Sequence, residues 1–514
     1  MPARLEFSAD PSQLAALKAA LERASTAPSG EPSLIISIFY DTPDRRLHQH
    51  GLSLCVEQHD ANRVQVLRRL GSVADGSQCR DVITGDRPDP SAPETGARLS
   101  GLIEKGLRPL CRVQVRRTGL RLDVEPAVEI MATLDEGKIS AAVGDATEPV
   151  CGLDLEMIEG DTAGLFDAAL RLLDTAPLRI TTSDNAERGY RLLGRAIEAV
   201  TAEPRTLEPS MTVEAVLQTS CRLCLRHLLR NETAALTGDA EALHQMRVAI
   251  RRLRSVLATV MSMLPAEQYQ RLKDELKWLA GSLGPARDWD VFARDLLAPV
   301  RSVLHTEPDL ENLVEAAERR RQAAYEAARK AIESRRYTEI ILKTARWLET
   351  CGWRDQRVSE HSAPLFSCIA EMAPPLIERR WRQAMKQCKH FVGLSLDERH
   401  QVRIALKNLR YLSELLESLF DPASVKALMK RLKGLQEDLG HLNDVRTAQR
   451  LCRELARSAE HDINDVSLAA GVVVGWHLHE LTNLEAKLHK DVRRFRKAKP
   501  FWRPVIVSGT NSTA

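Results

Sequence analysis

The chain has 514 residues, 73 Lys and Arg against 70 Asp and Glu for a net charge of +3, and only 4% aromatic residues. That length exceeds what one hydrophobic core supports and calls for two or three domains. No apolar run approaches the roughly 20 residues of a membrane span, and the ten cysteines form no disulfide framework, which excludes a disulfide scaffold and points to a reducing cytoplasm with no signal peptide.

Up to about residue 150, short β-like runs alternate with turn signals: Ser33–Tyr40, Leu52–Gln58, Arg63–Arg69, Leu110–Val115 and Ala127–Leu134. Helical periods appear at Pro11–Ala24 and Thr162–Asp174, and Pro28–Pro32 and Gly85–Gly96 read as loops. Thr201–Ser210, with Pro204 and Pro209, is the clearest linker. From Val213 to about Phe501 the period is helical, with breaks expected near Pro265, Gly281–Arg287, Pro364, Pro374-Pro375, Pro422 and Gly440. Gln322–Arg346 reads as a solvated, mixed-charge strut, and Ser508–Ala514 as a disordered tail. Charge follows the same division. Residues 1–207 carry 24 Lys and Arg against 31 Asp and Glu, whereas 208–514 carry 49 against 39.

The basic half contains a motif twice, 156 positions apart. His244-Gln-Met-Arg247-Val-Ala-Ile-Arg251-Arg-Leu-Arg254 matches His400-Gln-Val-Arg403-Ile-Ala-Leu-Lys407-Asn-Leu-Arg410, and Leu283-Gly284 through Arg287-Asp288 matches Leu439-Gly440 through Asn443-Asp444. Duplication of this length suggests two similar halves about a pseudo-twofold axis. At about 100° per residue, His244, Arg247, Arg251 and Arg254 share an arc of roughly 80°. Met246, Ala249, Ile250, Leu253, Val256 and Leu257 lie opposite. The second motif sets His400, Arg403, Lys407 and Arg410 against Val402, Ala405, Leu406, Leu409 and Leu412. A solvated helix face would mix in Glu at i,i+4, and neither stripe contains an acid. Both therefore read as anion-binding faces. Arg222, Arg226, Lys277, Lys386, Lys389 and Lys433 are flanking candidates. Arg287, Asp288, Asn443 and Asp444 follow a glycine and read as helix-start and packing residues. Cys221-x-x-Cys224 reads as core, and His477-x-His479, without an evident third ligand, as structural, so no metal ligands and no catalytic residues are expected there.

These duplicated motifs, with Arg493-Arg494-Phe495-Arg496 and Phe501-Trp502, resemble the conserved-histidine α-helical (CHAD) family over residues 213–502. The resemblance implies two pseudo-symmetric four-helix bundles (about 213–350 and 376–502) that bind inorganic polyphosphate in a basic groove, and association with polyphosphate granules. A flexible polyanion without bases needs a track of cations but no stacking platforms, so nucleic acid is not the expected partner. Arg supplies planar forks to phosphate oxygens and Lys a point charge.

Residues 1–200 resemble the CYTH triphosphate-tunnel family through Tyr40-Asp41-Thr42-Pro43-Asp44, Gly51-Leu52-Ser53-Leu54, Asp135-Glu136-Gly137 and Ala186-Glu187-Arg188-Gly189-Tyr190. That implies an antiparallel β-barrel, and the fold class expected is α+β: barrel, linker at 201–212, helical domain at 213–502, tail at 503–514. The family's opening Glu-x-Glu-x-Lys is here Pro2-Ala-Arg4-Leu-Glu6, its paired arginines are Cys55 and Glu57, its late acidic strand is reduced to Asp154 and Glu156, and its lysine before the Glu-Arg-Gly-Tyr stretch is Asn185. Phosphoryl transfer needs carboxylates for Mg²⁺ or Mn²⁺ and cations for the triphosphate. A divergent triphosphatase using Arg68, Arg80, Arg112 and Arg116 with Asp154 and Glu156 is thus the alternative, and only it would call for a metal cofactor. The leading expectation is a cytoplasmic polyphosphate-binding protein without catalytic activity, membrane association or a cofactor.

Overall fold

A computed structural model describes residues 4–25, 31–69, 78–124, 128–181, 185–194, 197–203, 206–305, 308–458 and 463–503. Nine strands form one antiparallel sheet: β1 (Arg4–Ala9), β2 (Ser33–Asp41), β3 (Leu52–His59), β4 (Asn62–Arg69), β5 (Gln78–Ile83), β6 (Arg108–Val124), β7 (Val128–Ala141), β8 (Thr147–Glu159) and β9 (Leu178–Ile180). Their order is β5-β4-β3-β2-β6-β7-β8-β1-β9. The expected runs become β2, β3, β4 and parts of the long β6 and β7, because alternation buries one face. Ile35, Phe39, Val113 and Val115 point into one apolar cluster. The barrel expected from the resemblance is not seen closed: no pairing joins β5 to β9 among the described residues, and β9, three residues long, offers little edge for another strand. Helices α1 (Leu14–Ala24), α2 (Thr162–Leu173) and α3 (Asn185–Leu192) pack on the sheet.

Among the described residues ten further helices of eight residues or more follow: α4 (Val213–Arg230), α5 (Ala240–Thr259), α6 (Ala266–Ser282), α7 (Gly284–Val291), α8 (Pro308–Ile332), α9 (Arg335–Glu349), α10 (Ile369–Gln387), α11 (Leu396–Leu416), α12 (Pro422–Ser458) and α13 (Ile463–Arg496). The last four pack each on the next. Between α7 and α8, Phe292–Leu297 is wound as a π-helix.

Three expectations about where helices break turn out differently, each for a local reason. The helix is interrupted at Leu283 but runs through Gly440. Pro285, which has no N–H to donate to a preceding carbonyl, occupies the position that His441 takes 156 residues later. Gly440 alone costs only about 1 kcal/mol in a helix. Pro374 and Pro375 lie inside α10. The bonds they forgo are those to the carbonyls of the exposed Ala370 and Glu371, which water can satisfy. The expected strut is two helices, divided where Ser334 caps α9. Far from being solvated, α9 buries Tyr337, Ile340, Ile341, Leu342, Ala345 and Leu348.

That helix joins the two halves. Thr338 Oγ1 donates to the Leu178 carbonyl at 3.0 Å, and Arg346 grips Asp167 of α2 with bonds of 2.8 and 2.9 Å. Arg179 of β9 meets the buried Glu232 at 2.7 Å. One apolar core runs from Leu5 and Phe166 through Leu178 and Ile341 to Phe495 and Trp502. The expected linker is packed as well: Leu207 is buried and its N–H donates to Ser418 Oγ at 2.9 Å. Pro204 and the expected tail at 508–514 lie outside the described residues. None of the ten cysteines forms a disulfide, and Cys221 and Cys224 are buried as expected. No helix of the described residues is long and apolar enough to cross a membrane.

Candidate anion-binding site

Both motif helices form for reasons visible in their ends and faces. Asp239 caps α5 by accepting from the Ala242 N–H at 2.6 Å, and Ser395 with Glu398 makes a capping box at the start of α11. Their apolar faces are buried, with Met246, Ala249, Ile250, Leu253 and Leu257 on α5 and Val402, Ala405, Leu406, Leu409 and Leu412 on α11. The two helices touch, so the opposite faces converge.

Convergence places the cations of both motifs together. The guanidinium carbons of Arg251 and Arg410 lie 5.6 and 5.0 Å from the ring centroid of Tyr411. Lys407 sits in the field of Arg251, Arg403, Arg410 and Arg247; burial first, and then these charges, push its ammonium down to about 6. Burial likewise lowers Arg247 and Arg251, although Asp288 and Tyr411 respectively oppose it. The Nε atoms of Arg251, Arg403 and Arg410 are buried without a hydrogen-bond acceptor. Buried donors are normally paired. These three belong to cations of both motifs. The sequence motifs contain no acid, but one turn on, Glu414 approaches Arg410 at 3.3 Å.

At the head of each stripe the histidine has a different neighbour. Burial, then the charge of Arg287, pushes His244 down to about 4, so it is neutral at physiological pH. His400 Nδ1 lies 3.0 Å from Asn443 Oδ1. Arg287 and Asn443 are 156 positions apart, as the histidines are. Of the residues read as helix-start and packing residues, Arg287 and Asp288 lie near the start of α7 but Asn443 and Asp444 fall inside α12, because the helix runs through Gly440; Arg287 and Asn443 flank the two histidines. Asp288 also pairs with Arg450 of α12 at 3.0 Å. Gly284 has a specific use here: a Cβ at that position would meet Arg247 Nη1 at 3.2 Å.

The remaining candidates separate. Lys433 joins Arg410, Arg252, Lys426 and Lys430 around a cavity of about 1030 Å³ bordered by α4, α5, α11 and α12. Arg254 is exposed beside Tyr269. Arg222 is held by Glu349 through bonds of 2.6 and 2.5 Å, and Arg226 faces Glu203 at 3.5 Å. Lys277, Lys386 and Lys389 are exposed, the last two at the end of α10, where the Lys389 carbonyl accepts from Arg496 at 3.3 Å. Sequence reasoning missed Tyr411, Arg287, Arg252, Lys426 and Lys430. The 156-residue register carried a signal for Arg287, and the Lys426, Lys430, Lys433 helical spacing one for the cavity wall.

The sheet curves around a second cavity, of about 630 Å³. Several of its cations face carboxylates of its own wall. Arg4 donates to Asp154 at 2.7 Å, Arg68 to Glu57 at 3.2 Å, and Arg117 to Asp135 at 2.8 and 2.7 Å. Burial pushes the Asp154 carboxyl up to about 6 against the pull of Arg4. Of the residues expected for a triphosphatase, Arg68 and Asp154 line this cavity. Arg112 and Arg116 stand exposed, on the face of β6 opposite the cavity-lining Val113, Val115 and Arg117. Arg80 is exposed on β5, and Glu156 is not among the lining residues.

Residues 219–453 match the CHAD domain. The chain carries a CHAD domain. A crystal structure of the CHAD domain from Ricinus communis is 29% identical, with a TM-score of 0.51, covering 59% of this chain and 98% of that one. Uncharacterized proteins of two Mycobacterium tuberculosis strains are 29% identical over 276 residues, which is 50% of this chain and 49% of theirs. The chain thus spans about half the length of these curated relatives. A Hippeastrum protein with a dominant triphosphatase activity is 17% identical, with a TM-score of 0.28, over 38% of this chain and 98% of that one. Likeness at that level says nothing of activity. An antiparallel sheet followed by a helical CHAD domain is the fold class expected, without the closed barrel.

Proposed function

We propose that this protein binds inorganic polyphosphate along a track formed where the two motif helices of the CHAD domain meet, the two halves being related by the sequence duplication. The single observation that carries the reading is the convergence of Arg251, Arg403, Lys407 and Arg410, from both motifs, into a half-buried cluster with unfilled donors. Phosphate oxygens supply the missing acceptors, one negative charge per residue of the polymer offsets the mutual repulsion, and charge-assisted bonds reward both. His244, Arg247, His400 and Arg287 extend the track at one end, and Lys433 with the cavity cations at the other. Arg222 and Arg226, already facing acids, contribute less. The polymer's lack of bases fits a site whose Tyr411 ring is already covered by arginines. On this reading the protein associates with polyphosphate granules. The sheet half, several of whose cavity cations face its own carboxylates, is a partner of the helical half rather than a triphosphatase.

The test uses the full chain. Titrated with long-chain polyphosphate at physiological salt, it should bind tightly and lose affinity steeply as salt rises, through counterion release. Expressed in a cell that makes granules, it should collect on them, and a variant with Arg251→Glu and Lys407→Glu should stay diffuse. Equal granule targeting by that variant would sink the proposal.

A further inference from the structure

Chemistry-bearing side chains also converge away from the cation cluster. His441 of α12 and His477 and Glu480 of α13 bring three ligand atoms within 4.8 Å of one another. Glu480 Oε2 lies 3.2 Å from His477 Nδ1 and 3.7 Å from His441 Nε2. His477 is buried, 3% exposed, and its Nε2 donates to the Leu296 carbonyl at 2.8 Å.

That last bond fixes the tautomer. A carbonyl oxygen only accepts, so Nε2 carries the hydrogen, and a ring with that single proton turns a bare Nδ1 lone pair toward a carboxylate oxygen. Two acceptors at 3.2 Å repel unless a positive centre lies between them. A second proton would bridge that one pair and leave the approach of His441 to a separate, long Nε2–H contact. A metal ion accounts for all three. Tetrahedral Zn²⁺ with bonds of about 2.0–2.1 Å sets its ligand atoms roughly 3.3 Å apart, close to two of the observed edges, and a small rotation of the partly exposed His441 closes the third. The hydrogen bond from the ligand's far nitrogen to a backbone carbonyl is the usual outer support of a metal-bound histidine. Leu296 belongs to the π-helical Phe292–Leu297, a rare winding that recurs at functional sites. His477 and Glu480 have the i,i+3 spacing by which bundle helices present a His and a Glu to one ion.

We propose that His441, His477 and Glu480 bind a divalent transition-metal ion of the Zn²⁺ class, leaving one coordination position for water or an oxyanion oxygen. On this proposal His477 is a ligand as well as a structural residue. Its neighbour in sequence, His479, is exposed, and the further ligands come from Glu480 and from another helix. Glu480 is exposed, so the ion has access from solvent. The inference does not depend on polyphosphate binding.

Full-length protein stripped with a chelator is titrated with Co²⁺ and then Zn²⁺. The expected result is one Co²⁺ per chain with visible d–d absorption of a low-coordinate nitrogen and oxygen site, displaced by Zn²⁺ and not by Mg²⁺. His441→Gln and Glu480→Gln, both at accessible positions, should each weaken binding on the order of tenfold or more while leaving the helical signal and polyphosphate affinity unchanged. Absence of stoichiometric Co²⁺ binding, parent-like affinity in both variants, or an intense thiolate-to-cobalt band marking one of the cysteines would overturn the assignment.

Discussion

The Arg251 guanidinium lies 5.6 Å from the ring centroid of Tyr411, so the stripe of the first motif rests on the residue directly after the last arginine of the second. The two stripes are therefore one electrostatic object, and substitutions in either should be felt by the other.

Replacing Arg247 and Arg251 by Ala should weaken polyphosphate binding about as much as replacing Arg403 and Lys407. Charge-assisted contacts are worth roughly 1.5–3 kcal/mol each, so each double variant should lose on the order of tenfold or more in affinity. Salt titrations should show a shallower slope for both. If only one pair matters, the track does not cross both motifs.

Binding should take up a proton. Lys407, held near 6 in the free protein, regains its charge beside phosphate, so affinity should strengthen as pH falls from about 9 toward 6. Calorimetry in buffers of different ionisation enthalpy reads the proton count directly. Lys407→Arg, which stays charged throughout, should bind with a flatter pH profile.

The same residue makes the free fold pH-sensitive. Its folded value lies below the unfolded one, about 10.4, so the unfolded chain binds the proton more readily. Stability of the free protein should fall as pH drops from about 10 toward 6, and be insensitive to this group below that. Lys407→Met should raise the melting temperature at neutral pH while lowering polyphosphate affinity, a trade expected where a site stores like-charge repulsion. A lower melting temperature would show that the lysine is compensated.

Residues 208–514 alone should be less stable than the same helices in the full chain, because α9 loses Asp167 and the Leu178 carbonyl. A melting midpoint lower by several degrees, roughly 2–4 °C per kcal/mol, or self-association of the fragment, is expected in circular dichroism and sedimentation. An unchanged midpoint would make the seam energetically idle.

With tripolyphosphate and Mg²⁺ or Mn²⁺, the full chain should release no phosphate beyond background. Sustained turnover abolished by Asp154→Ala would return the sheet cavity to the status of an active site.

Much of this was legible in the sequence where one periodicity decides the outcome. The buried faces of α5 and α11 follow from spacing alone, as do β2 to β4. What was not legible depends on partners distant in sequence. Burial of the Gln322–Arg346 stretch needs β9 and α2 to cover it. The inward or outward sense of Arg117 against Arg112 and Arg116 needs the register of β6 on its neighbours. The fate of Arg222 depends on Glu349, 127 residues away. His477 looked incomplete because its companion His441 sits where the first motif has Pro285, and only a continuous α12 carries that side chain to α13.

The seam between sheet and helices also bears on how the protein is made. Strand β1 cannot pair until β8 and β9 exist, and the apolar side of that region waits for α9, about 170 residues further on. At typical synthesis rates of about 5–20 residues per second, that interval lasts on the order of ten to thirty seconds. Through it the nascent chain displays unsealed apolar surface, so the newborn protein should lean on chaperones that hold emerging chains, although nothing in its finished surface would suggest the need.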